Sequence, residues 1–344
     1  VIEKDAWPVT MTRIDIDLTD QQLRDALMAD AANGLLAPAK VCPPKYFYDQ
    51  RGSVLFERIC SLQEYYPTRT ERKILTRWAD AMVAADPPFT SLVELGSGTS
   101  AKTPLVLDAM LRLSPDVNYV PVDVSPHALA DAVGKLRDAY PALPIHGVVR
   151  DFQQPLGTLP NHGHRLMAVL GGTIGNLDPS ARAEFLTGLA ATLEPGEGLL
   201  LGVDLVKDPA RLVAAYDDAA GATSAFNLNM LNVLNRLLDA RFDPGRFDHV
   251  ALWNATESWV EMRLRAREPM KIRLGVLDTT VAFEEGEEMR TEISTKFRRE
   301  TVERELSSAG FGLAGWWADT DGPSTGTGDG DYAMVLGIRR QPSH

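Results

Sequence analysis

Cysteine is nearly absent: the 344 residues contain two, Cys42 and Cys60, with no CxxC spacing. Such a pair cannot build the several bridges of a small secreted scaffold, so reduced thiols in a cytoplasmic protein are expected. Long apolar runs are also missing. No stretch approaches the ~20 residues that span a bilayer, and the acidic opening VIEKDAWPVT lacks the basic-then-apolar order of a secretion signal. Positive charge is in short supply, Lys+Arg 35 against Asp+Glu 47 for a net −12, and no basic cluster offsets it. Nucleic acid and membrane are therefore excluded as partners, and no obligate protein partner is evident. The histidines, His127, His146, His162, His164, His249 and His344, form no HExxH or similar ligand spacing, so no metal is expected. No repeat with a period of about 20 to 50 residues stands out.

What is present is an ordinary folded composition, 44% hydrophobic and 24% charged. The length exceeds one minimal core, which implies two domains or one domain with a large insertion. Leu92-Val93-Glu94-Leu95 reads as a buried strand that breaks into Gly96-Ser97-Gly98-Thr99, before Val106, Met110 and Leu113 at helical spacing. Further strands are expected over Tyr119–Val122 ending at Asp123, over Leu166–Leu170 running into Gly171-Gly172, and over Leu199–Val203 closing on Asp204. Strands separated by helices predict a parallel α/β sheet covered on both faces. Beyond Lys207 the pattern changes to helix until about Ala240. It then alternates from Val250 to Phe283, with Val260, Met262 and Leu264 facing one way and Glu261, Arg263 and Arg265 the other. A helix over Arg299–Ser308, an apolar run Leu313–Trp317, a mobile polar loop Asp319–Asp331 and a final strand Tyr332–Ile338 close the chain.

The strongest chemical signal is Glu94-Leu95-Gly96-Ser97-Gly98-Thr99-Ser100. Glycines where a strand ends let the backbone turn sharply at the crevice where open α/β sheets bind nucleotides. Alone the loop is also compatible with NAD, since Ala101 stands where the dinucleotide pattern tolerates alanine. Asp123 at the next strand end suits two ribose hydroxyls, and Asp151-Phe152 offers a carboxylate and a ring to an adenine. The closing helix and hairpin favour a Rossmann-like S-adenosylmethionine site, because that fold ends on an inserted antiparallel strand.

Several longer motifs occur in order: PPKYFYDQRGSVLFERI, QEYYPTRTE, LVELGSGTSAKT, LGGTIGNL, DLVKDPARLVAAYDDAAG and EEMRTEISTKF. In these the chain resembles the histidine-specific Nα-methyltransferases of ergothioneine biosynthesis, from about Pro43 to Arg339. The resemblance implies a class I methyltransferase core over 70–206 and 297–344. It also implies a substrate-binding α+β domain over 12–69 and 207–296, and conversion of L-histidine to its trimethylated betaine, hercynine, with S-adenosylmethionine as donor. It places Gly96 under the methionine moiety, Lys102 near its carboxylate, Asp123 at the ribose, and Asp151 and Phe152 at the adenine. Asn176 and Tyr216 are implied to bind the amino-acid head group, Tyr65, Glu292 and Ser294 the imidazole, and Tyr48 to lie near the reacting amine. Met262 would line the same pocket, with Phe56 and Gly171 shaping its wall near the amine.

Glu292 and Ser294 sit two apart in an alternating segment, so as a strand they emerge on one face about 7 Å apart. An acceptor and a hydroxyl so spaced match a ring with one N–H and one lone pair. An indole there would leave the carboxylate unpaired, which favours histidine over tryptophan. Tyr48 is the candidate to receive or relay the amine proton. The competing readings are a methyltransferase for another aromatic amino acid such as tryptophan, a nucleotide-binding oxidoreductase, and a silent ligand-binding protein.

Overall fold

The computed structural model describes residues 12–85, 87–154, 156–157, 159–160, 162–319 and 330–341. The chain begins with β1 (Thr12–Ile16), α1 (Asp20–Gly34), β2 (Lys40–Val41), α2 (Gln50–Cys60) and α3 (Tyr66–Val83). Alternating units follow: β3 (Ser91–Leu95), α4 (Thr103–Leu113), β4 (Asn118–Asp123), α5 (Pro126–Ala139), β5 (Ile145–Val149), β6 (Arg165–Val169), α6 (Pro179–Thr192) and β7 (Gly198–Asp204). Next come α7 (Pro209–Ala214), α8 (Ala222–Leu238), β8 (Phe247–Asn254), β9 (Trp259–Ala266), β10 (Met270–Leu274), β11 (Thr279–Phe283) and β12 (Glu288–Thr295). The chain ends with α9 (Arg299–Ser308), β13 (Phe311–Ala318) and β14 (Tyr332–Arg339).

Every residue of β3 through β7 is buried, the pattern of parallel strands covered on both faces. They lie in an eight-stranded sheet of order β1-β5-β4-β3-β6-β7-β14-β13. The order reverses at β3, so the crevice where ligands bind in such sheets opens beside its C-terminal end. β14 runs antiparallel between β7 and β13, as the end of the sequence predicts. The intervening helices start cleanly because Ser125 and Asp178 cap α5 and α6 with a proline at the first helical position.

A second sheet, β2-β12-β9-β8, packs with α1, α2 and α8 around Leu27, Phe47, Phe226, Met230, Leu264 and Met289. This core is distinct from the two that cover the faces of the large sheet. β1, which the sequence division places with the second unit, instead pairs in parallel with β5 at the edge of the large sheet. The helix expected over 207–240 is broken into α7 and α8: Gly221 adopts a left-handed φ of +70°, and Asp218 accepts the Ala222 and Thr223 N–H groups. Of the expected mobile loop, residues 320–329 lie outside the described residues.

Candidate active site

The site grows from the end of β3. Gly96, Gly98 and Ser100 all take left-handed φ values, +72°, +51° and +52°, which turn the chain back before α4. A Cβ on Gly96 would stand 3.3 Å from the Phe152 ring, so glycine keeps that approach open. Asp123, at the end of β4, accepts the Gly98 N–H at 2.8 Å and the Ser125 N–H at 2.9 Å. Burial pushes its carboxyl above the usual range, against the pull of those N–H groups. The buried Ser97 hydroxyl in the same loop has no hydrogen-bond partner among the described residues, an orphan that a bound ligand would satisfy.

Asp151 accepts a hydrogen bond from Lys45 at 3.1 Å, and Lys45 also pairs with Asp30 at 3.1 Å, which ties the single turn at Pro44–Phe47 to the end of the large sheet. Lys102 pairs with Glu71 of α3, a fully buried carboxylate that also accepts the Gly171 N–H at 2.8 Å and the Tyr332 hydroxyl at 3.0 Å. Gly171 and Gly172 are both left-handed, at φ +76° and +74°, and lead into the turn that carries Asn176.

The opposite wall comes from the second sheet and its helices. Tyr48, Phe56, Tyr65 and Phe226 form an aromatic cluster, with Tyr48–Phe56 centroids 5.6 Å and Phe56–Tyr65 6.1 Å apart. Tyr216 meets Tyr65 edge-on at 6.1 Å. Met262 on β9 is the direct cross-strand partner of Glu292 on β12, beside a register shift between Arg290 and Glu292. Burial raises the Glu292 carboxyl to about 7, with Lys296 pulling the other way. The half-buried Tyr48 phenol is held well above its usual range by desolvation and by the nearby Glu292 charge.

Every residue singled out from the sequence lines one cavity of about 630 Å³: Gly96, Lys102, Asp123, Asp151 and Phe152, together with Tyr48, Phe56, Tyr65, Gly171, Asn176, Tyr216, Met262, Glu292 and Ser294. The sequence reading missed a buried charged cluster against Tyr216 and Ser294. Lys296 donates to Asp204 at 2.8 Å, to Ser294 Oγ at 2.8 Å and to Tyr216 at 2.9 Å, while Tyr66 donates to Asp204 at 2.8 Å. Lys207 pairs with Asp204 at 2.5 Å. Asp204 closes a strand in the sequence, which marked its position but not its partners.

The reversal of strand order at β3, the inserted antiparallel β14, the left-handed glycine loop and the carboxylates at the ends of β4 and β5 together define a class I S-adenosylmethionine-dependent methyltransferase. Residues 27–325 match the family described as histidine-specific, SAM-dependent methyltransferase, and the chain belongs to that family. It is 50% identical over 316 residues to a histidine N-alpha-methyltransferase of Mycolicibacterium smegmatis, covering 92% of this chain and 95% of that one. It is 31% identical over 283 residues to ergothioneine biosynthesis protein 1 of Neurospora crassa, covering 80% of this chain and 31% of that longer protein. Among solved structures, an S-adenosylmethionine-dependent methyltransferase from Clostridium acetobutylicum superposes with a TM-score of 0.43 at 12% identity, over 80% of this chain and 92% of that one.

The residues present fit the cofactor. The glycine loop leaves room that a Cβ at Gly96 would reduce, Asp123 is an acceptor facing the cavity, and the Ser97 hydroxyl lacks a partner among the described residues.

Proposed function

We propose that the chain is an L-histidine Nα-methyltransferase that places three methyl groups on the α-amine to give hercynine, the first step of ergothioneine biosynthesis. The observation that carries the reading is the single cavity that joins the glycine loop to Glu292, Ser294 and Met262. Gly96, Lys102, Asp123, Asp151 and Phe152 would hold S-adenosylmethionine, which when bound supplies a methyl group on an electrophilic sulfonium. Substrate binding is assigned to the unit of residues 12–69 and 207–296, with β1 serving the large sheet. Two free thiols, Cys42 and Cys60, suit the reducing cytoplasm that this reading assumes.

The residues divide the work by chemistry. An ionised Glu292 accepts the ring N–H, and Ser294 donates to the ring lone pair. Asn176 and Tyr216 orient the head group, which converts a bimolecular encounter into a near-attack geometry. The Tyr48 phenol stays neutral near pH 7, so it cannot itself take up the proton; its oxygen accepts a hydrogen bond from the amine, and as the amine proton moves onto it the phenol's own proton passes to water. Phe56 and Tyr65 flank that position and stabilise methylammonium charge by cation–π contact, about 0.5 to 2 kcal/mol each. After three transfers the nitrogen has no lone pair left and the reaction stops.

The test is incubation with S-adenosylmethionine and equal histidine and tryptophan, read by mass spectrometry. The expected product is histidine carrying three methyls on its α-nitrogen. Preferential methylation of tryptophan, or methylation of the imidazole, would refute the reading.

A further inference from the structure

Lys296 lies one residue beyond β12 with its side chain wholly buried, and its three N–H groups are all engaged, by Asp204, Tyr216 and Ser294. Burial alone would weaken its charge, but Asp204 and Tyr216 hold it above the usual lysine range. Tyr216 and Ser294 are themselves 2.7 Å apart, hydroxyl to hydroxyl. Each of those oxygens accepts from the ammonium, and only one hydrogen can lie on the line between them. The other hydroxyl hydrogen must leave the trio. A phenol is a stronger donor than an aliphatic hydroxyl, so Tyr216 donates to Ser294, and the Ser294 O–H turns outward.

We infer that Lys296 is a positioning residue that fixes the hydrogen-bond polarity of Tyr216 and Ser294, so that the cavity presents a donor at Ser294 opposite the acceptor at Glu292 and thereby recognises a ring bearing one lone pair and one N–H. Both Glu292 and Ser294 line the cavity from the same strand. Without the ammonium, the Asp204 carboxylate it covered becomes a better acceptor for the Tyr216 phenol than Ser294 is, so the phenol can turn away, the Ser294 hydroxyl can donate back to Tyr216, and its hydrogen is no longer directed at a ligand. The inference rests on the reading that the imidazole lies against this strand.

The test is a double-mutant cycle in steady-state kinetics, with histidine and S-adenosylmethionine varied separately. Lys296→Met is expected to raise the histidine KM about tenfold while cofactor affinity stays within about twofold of wild type. Ser294→Ala should cost about tenfold in the wild-type background and less than about threefold beside Lys296→Met, because the directed donor is already lost. Lys296→Gln, which retains two N–H donors, should restore most of the histidine KM. Should Lys296→Met fail to fold, Lys296→Met/Asp204→Asn removes one buried charge of each sign, leaving Lys207 the Tyr66 hydroxyl and the Leu205 carbonyl as acceptors, and serves in the same cycle. An unchanged histidine KM, or an equal Ser294→Ala penalty in both backgrounds, overturns the inference. A wild-type enzyme that does not methylate histidine overturns the underlying reading instead.

Discussion

Glu292 shows how much a single environment can do. Burial raises its carboxyl to about 7, so the folded chain holds that proton more tightly than the unfolded one. Stability from the neutral acid is therefore present below the ordinary glutamate range and is lost as pH rises through about 7, whereas acceptance of a ring N–H needs the ionised form. The histidine KM should accordingly fall as pH rises through that value, and Glu292→Gln should remove this part of the profile. The substrate ring titrates near ~6.5 with either enzyme, so the difference between them isolates the carboxyl. Identical profiles would take Glu292 out of the binding site. Beside the glycine loop, Asp123→Ala should weaken cofactor binding about tenfold or more, as for a lost charge-assisted hydrogen bond, and leave histidine affinity nearly unchanged; calorimetric titration checks both. Some positions facing the cavity were legible because they sit in long motifs, as Glu292 and Ser294 do, and others because they end a strand, as Asp123 does. Lys296, Glu71 and Asp204 lie in the same motifs, but their roles were not legible, since a buried charge is tolerated only through its partners and several of these are distant in sequence: Tyr66 reaches Asp204 from 138 positions away.

At the scale of elements, β7 carries a tight constraint. A Cβ on Gly202 would collide with the Glu71 carboxylate, which holds Lys102 and Gly171, and stand 2.5 Å from the Tyr332 hydroxyl that donates to that carboxylate. Gly202→Ala should destabilise the chain by about 1 to 3 kcal/mol through overpacking and weaken cofactor binding through Lys102. Chemical denaturation and titration read the two effects, and an unshifted midpoint would show that α3 can give way. The buried strands β3 to β7 could be read as apolar runs because both of their faces are covered. The break between α7 and α8 was hidden because DDAAG is compatible with either a helix or a turn, and Gly221 and Asp218 decide it only through their final geometry. The register shift before Glu292 was equally hidden, as it depends on pairing with β9.

The cavity belongs to the molecule as a whole, since its walls come from the ends of the large sheet and from a second sheet packed around its own core. Contacts such as Lys45–Asp151 join the two across 106 positions of sequence. The change of periodicity near Lys207 was legible in the sequence, while the pairing of β1 with the large sheet was not, because an edge strand of five residues carries little pattern. A ligand that fills the cavity should stabilise the native chain. S-adenosylhomocysteine at a hundredfold excess over its Kd should add about 2.7 kcal/mol, read as a rise in Tm, and NADH should add nothing. A rise with NADH alone would favour the oxidoreductase reading.

The most direct measurement is a crystal structure of the chain with S-adenosylhomocysteine and histidine bound together. The expected result places the two ring nitrogens within about 3.2 Å of the Glu292 carboxylate and the Ser294 hydroxyl, with the α-amine directed past Tyr48 toward the cofactor sulfur. A histidine ring lodged away from Glu292 and Ser294, or an amine turned from the sulfur, would contradict the account.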